Sequence, residues 1–146
     1  FNLQILSKNI FKNNLSDKII IVPLCLDSIS KTEMFKFKSI EEGGALSNFG
    51  KSNFKPVFEY KTISTSLNDF FEKYEDYKPD YIKIDVDGIE NQIISGGSNV
   101  FKKVKSVLIE SNSDVDEKNI IQQMENHKFY LKSKDLKNSN LIFFKN

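Results

Sequence analysis

Residues 81–97 read YIKIDVDGIENQIISGG, and the way this stretch folds decides the rest of the chain. Tyr81, Ile82, Ile84 and Val86 form an apolar run broken only by Lys83, which predicts a strand covered on both faces in a parallel sheet. An acidic turn follows, and then a short helix with Ile89, Ile93 and Ile94 on one face and Gly96 and Gly97 permitting a left-handed stop. Asp87, with Glu90 three residues on, has capping-box spacing, so Asp87 reads first as a helix cap. Asp85 lies inside the apolar run, where a carboxylate without a partner is costly, and so a functional role is expected of it. Open α/β folds bind ligands at the carboxyl ends of their strands, and both aspartates arrive there.

Working outward, 146 residues are enough for one domain with a single core, and 28% charged residues with 39% hydrophobic is ordinary for a globular chain. A net charge of +1 gives no field pointing to nucleic acid or a membrane surface. Every cation is a lysine, so the arginine fork that suits phosphates is missing and a nucleic-acid partner is not expected. Cys25 is the one cysteine and His127 the one histidine, which excludes an internal disulfide and a Cys/His metal site. No apolar run reaches membrane-spanning length and no signal peptide is recognisable, so the expected compartment is the cytoplasm. The chain opens on Phe1 rather than methionine and directly in helical pattern, which suggests a fragment.

Leu3, Leu6 and Ile10 are spaced for an amphipathic helix between Asn2 and Asn14. Ile19 to Leu26 reads as a buried strand whose Pro23 places it near an edge or a bulge. Cys25 and Asp27, at its carboxyl end, either face a ligand or serve as a small core residue and a turn former. Met34, Phe35 and Phe37 suggest a short strand, and Gly43 to Ser52 a connecting loop in which Ser47 or Asn48 could touch substrate. Val57 to Ile63 alternates like a strand, and Ser66 caps a helix with Leu67, Phe70, Phe71 and Tyr74 on its buried face. Val104 to Glu110 is a further apolar strand, and Asp114 or Asp116 begins a helix carrying Ile120, Ile121 and Met124 inward. His127, just past that helix, suits the negative end of its dipole. Phe129 to Lys132 and Leu141 to Phe144 predict a terminal hairpin, and the alternation as a whole predicts a three-layer α/β fold with a mostly parallel sheet.

With these elements placed, the chain resembles the FkbM family of S-adenosylmethionine-dependent methyltransferases. YIKIDVDGIENQIISGG is similar to that family's strand, acidic turn and helix; VKSVLIE resembles its next strand, ending in glutamate; LQILSKNIFKNN resembles the asparagine-rich helix ahead of IIIVPLCL, and NLIFFKN fits the last strand. Asp87 stands where the family commonly has glutamate, and the family's glycine-rich cofactor turn and ribose-binding acid are not found. The resemblance therefore implies a Rossmann-like, partial methyltransferase domain over residues 1–146, with its first two strands missing. It also implies S-adenosylmethionine as cofactor and methyl transfer to a hydroxyl of a sugar, glycan or other small molecule. On this reading Asp85 is base or orienter, supported by Lys83 and Glu90. Cys25, Leu26 and Asp27 surround the adenine, and Ser47, Asn48, Asp87 and Glu110 contact the acceptor. Two rival readings stand beside it. IDVDG is similar to the nucleophile motif of magnesium-dependent haloacid-dehalogenase-type phosphatases, with Asp114 and Asp116 imitating the later acidic pair. A catalytically incomplete scaffold is the other.

Overall fold

The structure, a computed structural model, describes residues 2–44, 46–135, 137 and 139–145. Ala45 of the expected loop lies outside the described residues, as do Leu136 and Asn138 of the link between the last two strands. The elements in chain order are α1 (Asn2–Lys12), β1 (Cys25–Leu26), β2 (Lys31–Phe37), β3 (Ser47–Phe49), β4 (Phe58–Thr65), α2 (Leu67–Lys73), β5 (Tyr81–Ile84), α3 (Glu90–Ser95), α4 (Ser98–Phe101), β6 (Ser106–Glu110), α5 (Asp114–Asn126), β7 (Phe129–Asp135) and β8 (Asn140–Lys145). The class is mixed α/β. Where the pattern predicts one mostly parallel sheet, the strands form two sheets of four, ordered β1-β4-β2-β3 and β5-β6-β8-β7. Among the described residues no helix is long and apolar enough to cross a membrane.

The chain divides into two compact units, residues 1–25 with 32–63, and residues 26–31 with 64–146. In the first, β2 and β3 pair antiparallel with Phe35 opposite Phe49 and Phe37 opposite Ser47. Phe35 and Phe37 lie edge to face at 4.9 Å, and Tyr60 stands 5.9 and 5.7 Å from them, a spacing at which aromatic quadrupoles attract. The stretch expected to be only a connection therefore supplies β3. The expected strand over Ile19 to Leu26 shrinks to Cys25–Leu26, with Ile19, Ile20, Val22 and Leu24 exposed. Its backbone is spent locally instead: the amides of Lys18 and Ile19 donate to Leu15 O, and that of Leu24 to Val22 O. Pro23 brings no amide to a ladder.

In the second unit β5 and β6 run parallel, Ile84 opposite Ile109, joined by a crossover through α3 and α4. The hairpin forms as expected, but β8 inserts beside β6, so β7 is the outer strand. One face of this sheet is packed, with Ile84, Val107, Ile109, Leu141 and Phe143 buried in a core with Ile94, Phe101, Ile120, Met124 and Phe129. β5 is the edge strand of this order and is covered on one face only: Tyr81 is 70% exposed and Ile84 4%. The near-continuous apolar run thus hides a plain alternation in which Tyr81, Lys83 and Asp85 share the open face.

Local chemistry sets the helix ends. Ser66 caps α2 by accepting the Asp69 amide at 3.0 Å, and Ser113 caps α5 through the Asp116 amide at 3.2 Å. Gly96 and Gly97 do not make the left-handed stop; their φ values are −78° and −115°. They are required by space. A Cβ on Gly96 would stand 2.6 Å from the Asp27 carbonyl oxygen, and one on Gly97 2.5 Å from the Phe101 ring. Burial, and then Lys145, hold the His127 pKa down, which disfavours the cation that the α5 dipole would suit. The Lys145 ammonium takes that place, donating to His127 O at 3.0 Å and Phe101 O at 2.6 Å.

Candidate active site

The register that sets Ile84 opposite Ile109 makes the next residues of the two strands, Asp85 and Glu110, neighbours at the carboxyl rim. Their carboxyls are close enough for each to shift the other's titration, in opposite directions. The contact with Glu110, and then Lys83, hold the Asp85 pKa below the usual aspartate range, while Asp85 pushes that of Glu110 up. Asp85 is thus the more readily ionised of the two and Glu110 the more readily protonated. Lys83, two residues back on the same face of β5, places its Nζ 2.5 Å from Asp85 Oδ2, and its pKa rises through that bond. These three groups are partly open to solvent, so the ion pair itself adds little stability.

The pair has a definite pH signature. The raised Glu110 pKa contributes stability that is full below the unfolded value and is lost as pH rises through the folded one; the lowered Asp85 pKa contributes stability lost on acidification. Glu110→Gln keeps a donor for Asp85 and cannot ionise. Its stability relative to the parent should therefore improve between about pH 4 and pH 7, read from urea midpoints across that range. A constant difference would show that the two carboxyls do not shift each other's titration.

Behind the rim lies Glu90, 1% exposed, with its pKa raised chiefly by burial. α3 begins at Glu90 with Ile89 as its cap residue, and the Ile89 side chain makes no capping hydrogen bond. Glu90 reaches back to the Gly88 amide rather than to that of Asp87, Oε1 accepting it at 3.1 Å, and Gly88 itself needs φ +100°, which glycine adopts without strain. Glu90 Oε1 also accepts from Asn112 Nδ2 at 2.6 Å, and the same Nδ2 donates to Val86 O at 3.2 Å. Asn112 was not among the residues singled out from sequence; an asparagine after a strand reads as a turn former, and its partners are 22 and 26 residues away.

Asp27 is buried, at 4% exposure, and its carboxylate is satisfied locally. Oδ1 accepts the Ser28 amide at 2.6 Å and the Ser28 hydroxyl at 3.1 Å, and Oδ2 faces Lys31 Nζ at 2.9 Å. Burial would raise its pKa, but Lys31 and the Ser28 donors outweigh it and the net shift is downward. Cys25 and Leu26 form the two residues of β1, both half-buried. Ser47 and Asn48 stand on β3 in the first unit. Asp87 is half-buried in the turn and adds a negative charge that raises the Glu110 pKa further. Asp114 and Asp116 head helix α5 behind Ser113. A cavity of about 490 Å³ opens at the amino end of β5, lined by Phe71, Tyr77, Pro79 and Lys103 among others; none of the expected site residues lines it.

In comparison with known proteins, residues 1–132 match the family described as the methyltransferase FkbM domain. No curated protein and no solved structure gives a significant match.

Proposed function

The chain belongs to the FkbM methyltransferase family, and from that premise we propose that it transfers a methyl group from S-adenosylmethionine to a hydroxyl of a small-molecule or glycan acceptor, with Asp85 at the centre of the reaction. The observation that carries this reading is the Asp85–Glu110 carboxyl pair at the ends of two parallel strands, with Lys83 bonded to it. When bound, the cofactor supplies an electrophilic methyl on a sulfonium. The donor set fits such a cation, because Asp85 is held ionised and Asp87 stands beside it in the same turn. The family match runs through both units, which supports reading residues 1–146 as one methyltransferase-like domain.

Each residue then has a task that follows from its surroundings. Asp85 would accept the acceptor's hydroxyl hydrogen, aim the oxygen lone pair toward the bound methyl donor and receive the proton that the hydroxyl gives up. A carboxylate with a lowered pKa is a weak base, so orientation is the larger part of its contribution. Glu110, the more readily protonated carboxyl, stands beside Asp85, and Lys83 offsets the charge of the pair. Glu90 holds the turn and touches no acceptor. Cys25, Leu26 and Asp27 are assigned to the adenine side, and Ser47, Asn48, Asp87 and Glu110 to the acceptor.

Calorimetry with S-adenosylmethionine, paired with transfer of a labelled methyl group to a panel of sugars and hydroxylated metabolites, tests the proposal. Donor binding and label in an ether linkage are expected. Absence of donor binding would leave the chain a scaffold, and label recovered on nitrogen or carbon would remove the assignment to hydroxyl acceptors.

A further inference from the structure

We propose that Asn112 is a positioning residue of the candidate site: a single amide nitrogen clasps the turn after β5 to the turn after β6 and so holds Asp85 and Glu110 at working separation. The inference rests on the methyl-transfer reading above for its functional part and on geometry alone for its structural part.

Asn112 Nδ2 divides its two hydrogens between two elements, giving one to Glu90 Oε1 at 2.6 Å on α3 and one to Val86 O at 3.2 Å in the acidic turn. Val86 is the residue after Asp85, and Asn112 is two residues beyond Glu110. Both carboxyls of the pair therefore stand within two residues of the clasp. The β5–β6 register ends at Ile84 opposite Ile109, and Glu110 is held on its other side by pairing with Asn140 of β8, so the clasp acts where β5 itself stops. On the β6 side the Ser111 amide is tied to Ser139 O at 3.0 Å, which anchors the loop and makes the Asn112 amide a fixed point rather than a trailing one. Glu90 is the stronger partner by geometry, its bond being 2.6 Å against 3.2 Å, and its carboxyl is buried at 1% exposure. Asn112 itself is exposed, so its truncation removes the clasp without opening the core.

The test reads the rim directly as well as through turnover. Carbon-13 carboxyl shifts of Asp85 and Glu110 are followed against pH in the parent, Asn112→Ala and Glu90→Gln. The parent should titrate with the two carboxyls well separated, and Asn112→Ala should draw them together as the strand ends drift apart. In the same variant kcat for methyl transfer should fall roughly 10- to 100-fold, the cost of a misplacement of about an ångström, with donor affinity within about twofold of the parent. Glu90→Gln retains an oxygen for both donors and should keep the separation. Unchanged carboxyl titration in Asn112→Ala overturns the clasp. Merged titration together with undiminished turnover upholds the clasp and instead sinks the catalytic role of the pair. Should Asn112→Ala fail to fold, Asn112→Ser removes the same donor and is read by the same criteria.

Discussion

Replacing Asp85 by Asn should lower kcat for methyl transfer by a factor on the order of 10² or more while leaving donor affinity within about twofold. The substitution keeps size and one hydrogen-bond acceptor, so the loss reports the carboxylate itself. In the parent that carboxylate pairs with Lys83, interacts with Glu110 and stands on the open face of the sheet. Asparagine cannot take up the hydroxyl proton, and its amide would turn a donor toward Lys83. Single-turnover measurement with preloaded donor separates chemistry from binding. Turnover within threefold of the parent would take Asp85 out of the reaction, and the acidic turn would revert to a purely structural feature.

The second large effect concerns stability. Glu90→Ala should cost about 2–4 kcal/mol, because it strands the Gly88 amide, removes the stronger partner of Asn112 and leaves a void in a place with 1% exposure. The sign of its pH dependence is fixed by the raised pKa of Glu90. A group whose folded pKa is raised contributes most when protonated, so the penalty of Glu90→Ala should be larger near pH 5 than at pH 7. Urea unfolding at the two pH values checks both statements. A penalty below about 1 kcal/mol, or one that grows with pH, would mean the carboxyl is solvated in solution.

What could be read from the chain followed how local each signal is. The cap at Ser66, the start of α5 at Asp114 and that helix's inward face depend on neighbours three or four residues away, and they stand where the spacing puts them. The strand at Tyr81–Ile84, the glutamate ending β6 and the final hairpin were equally legible. Ile19 to Leu26 misleads because an apolar run records only a need for burial, whereas a strand also needs a ladder partner; here only Cys25 and Leu26 have one. Gly96 and Gly97 were correctly marked as special but for the wrong cause, since crowding by Asp27 and Phe101 comes from outside the segment. The union of Asp85 with Glu110 depends on a register, and the bridge from Asn112 on a fold already complete. Neither has a sequence period that would expose it.

Gly96 has a wider consequence. The Asp27 carbonyl occupies the volume where any other residue would carry its first side-chain carbon, and the Asn68 amide bonds the Gly96 carbonyl at 2.9 Å. The helix that carries Glu90 thereby acts as a gauge for the loop that carries Asp27, the residue assigned to the opposite end of the cofactor. An alanine there would not touch either carboxylate, yet it would push the two anchor points apart, so the reach of the site is calibrated by an atom that is not there.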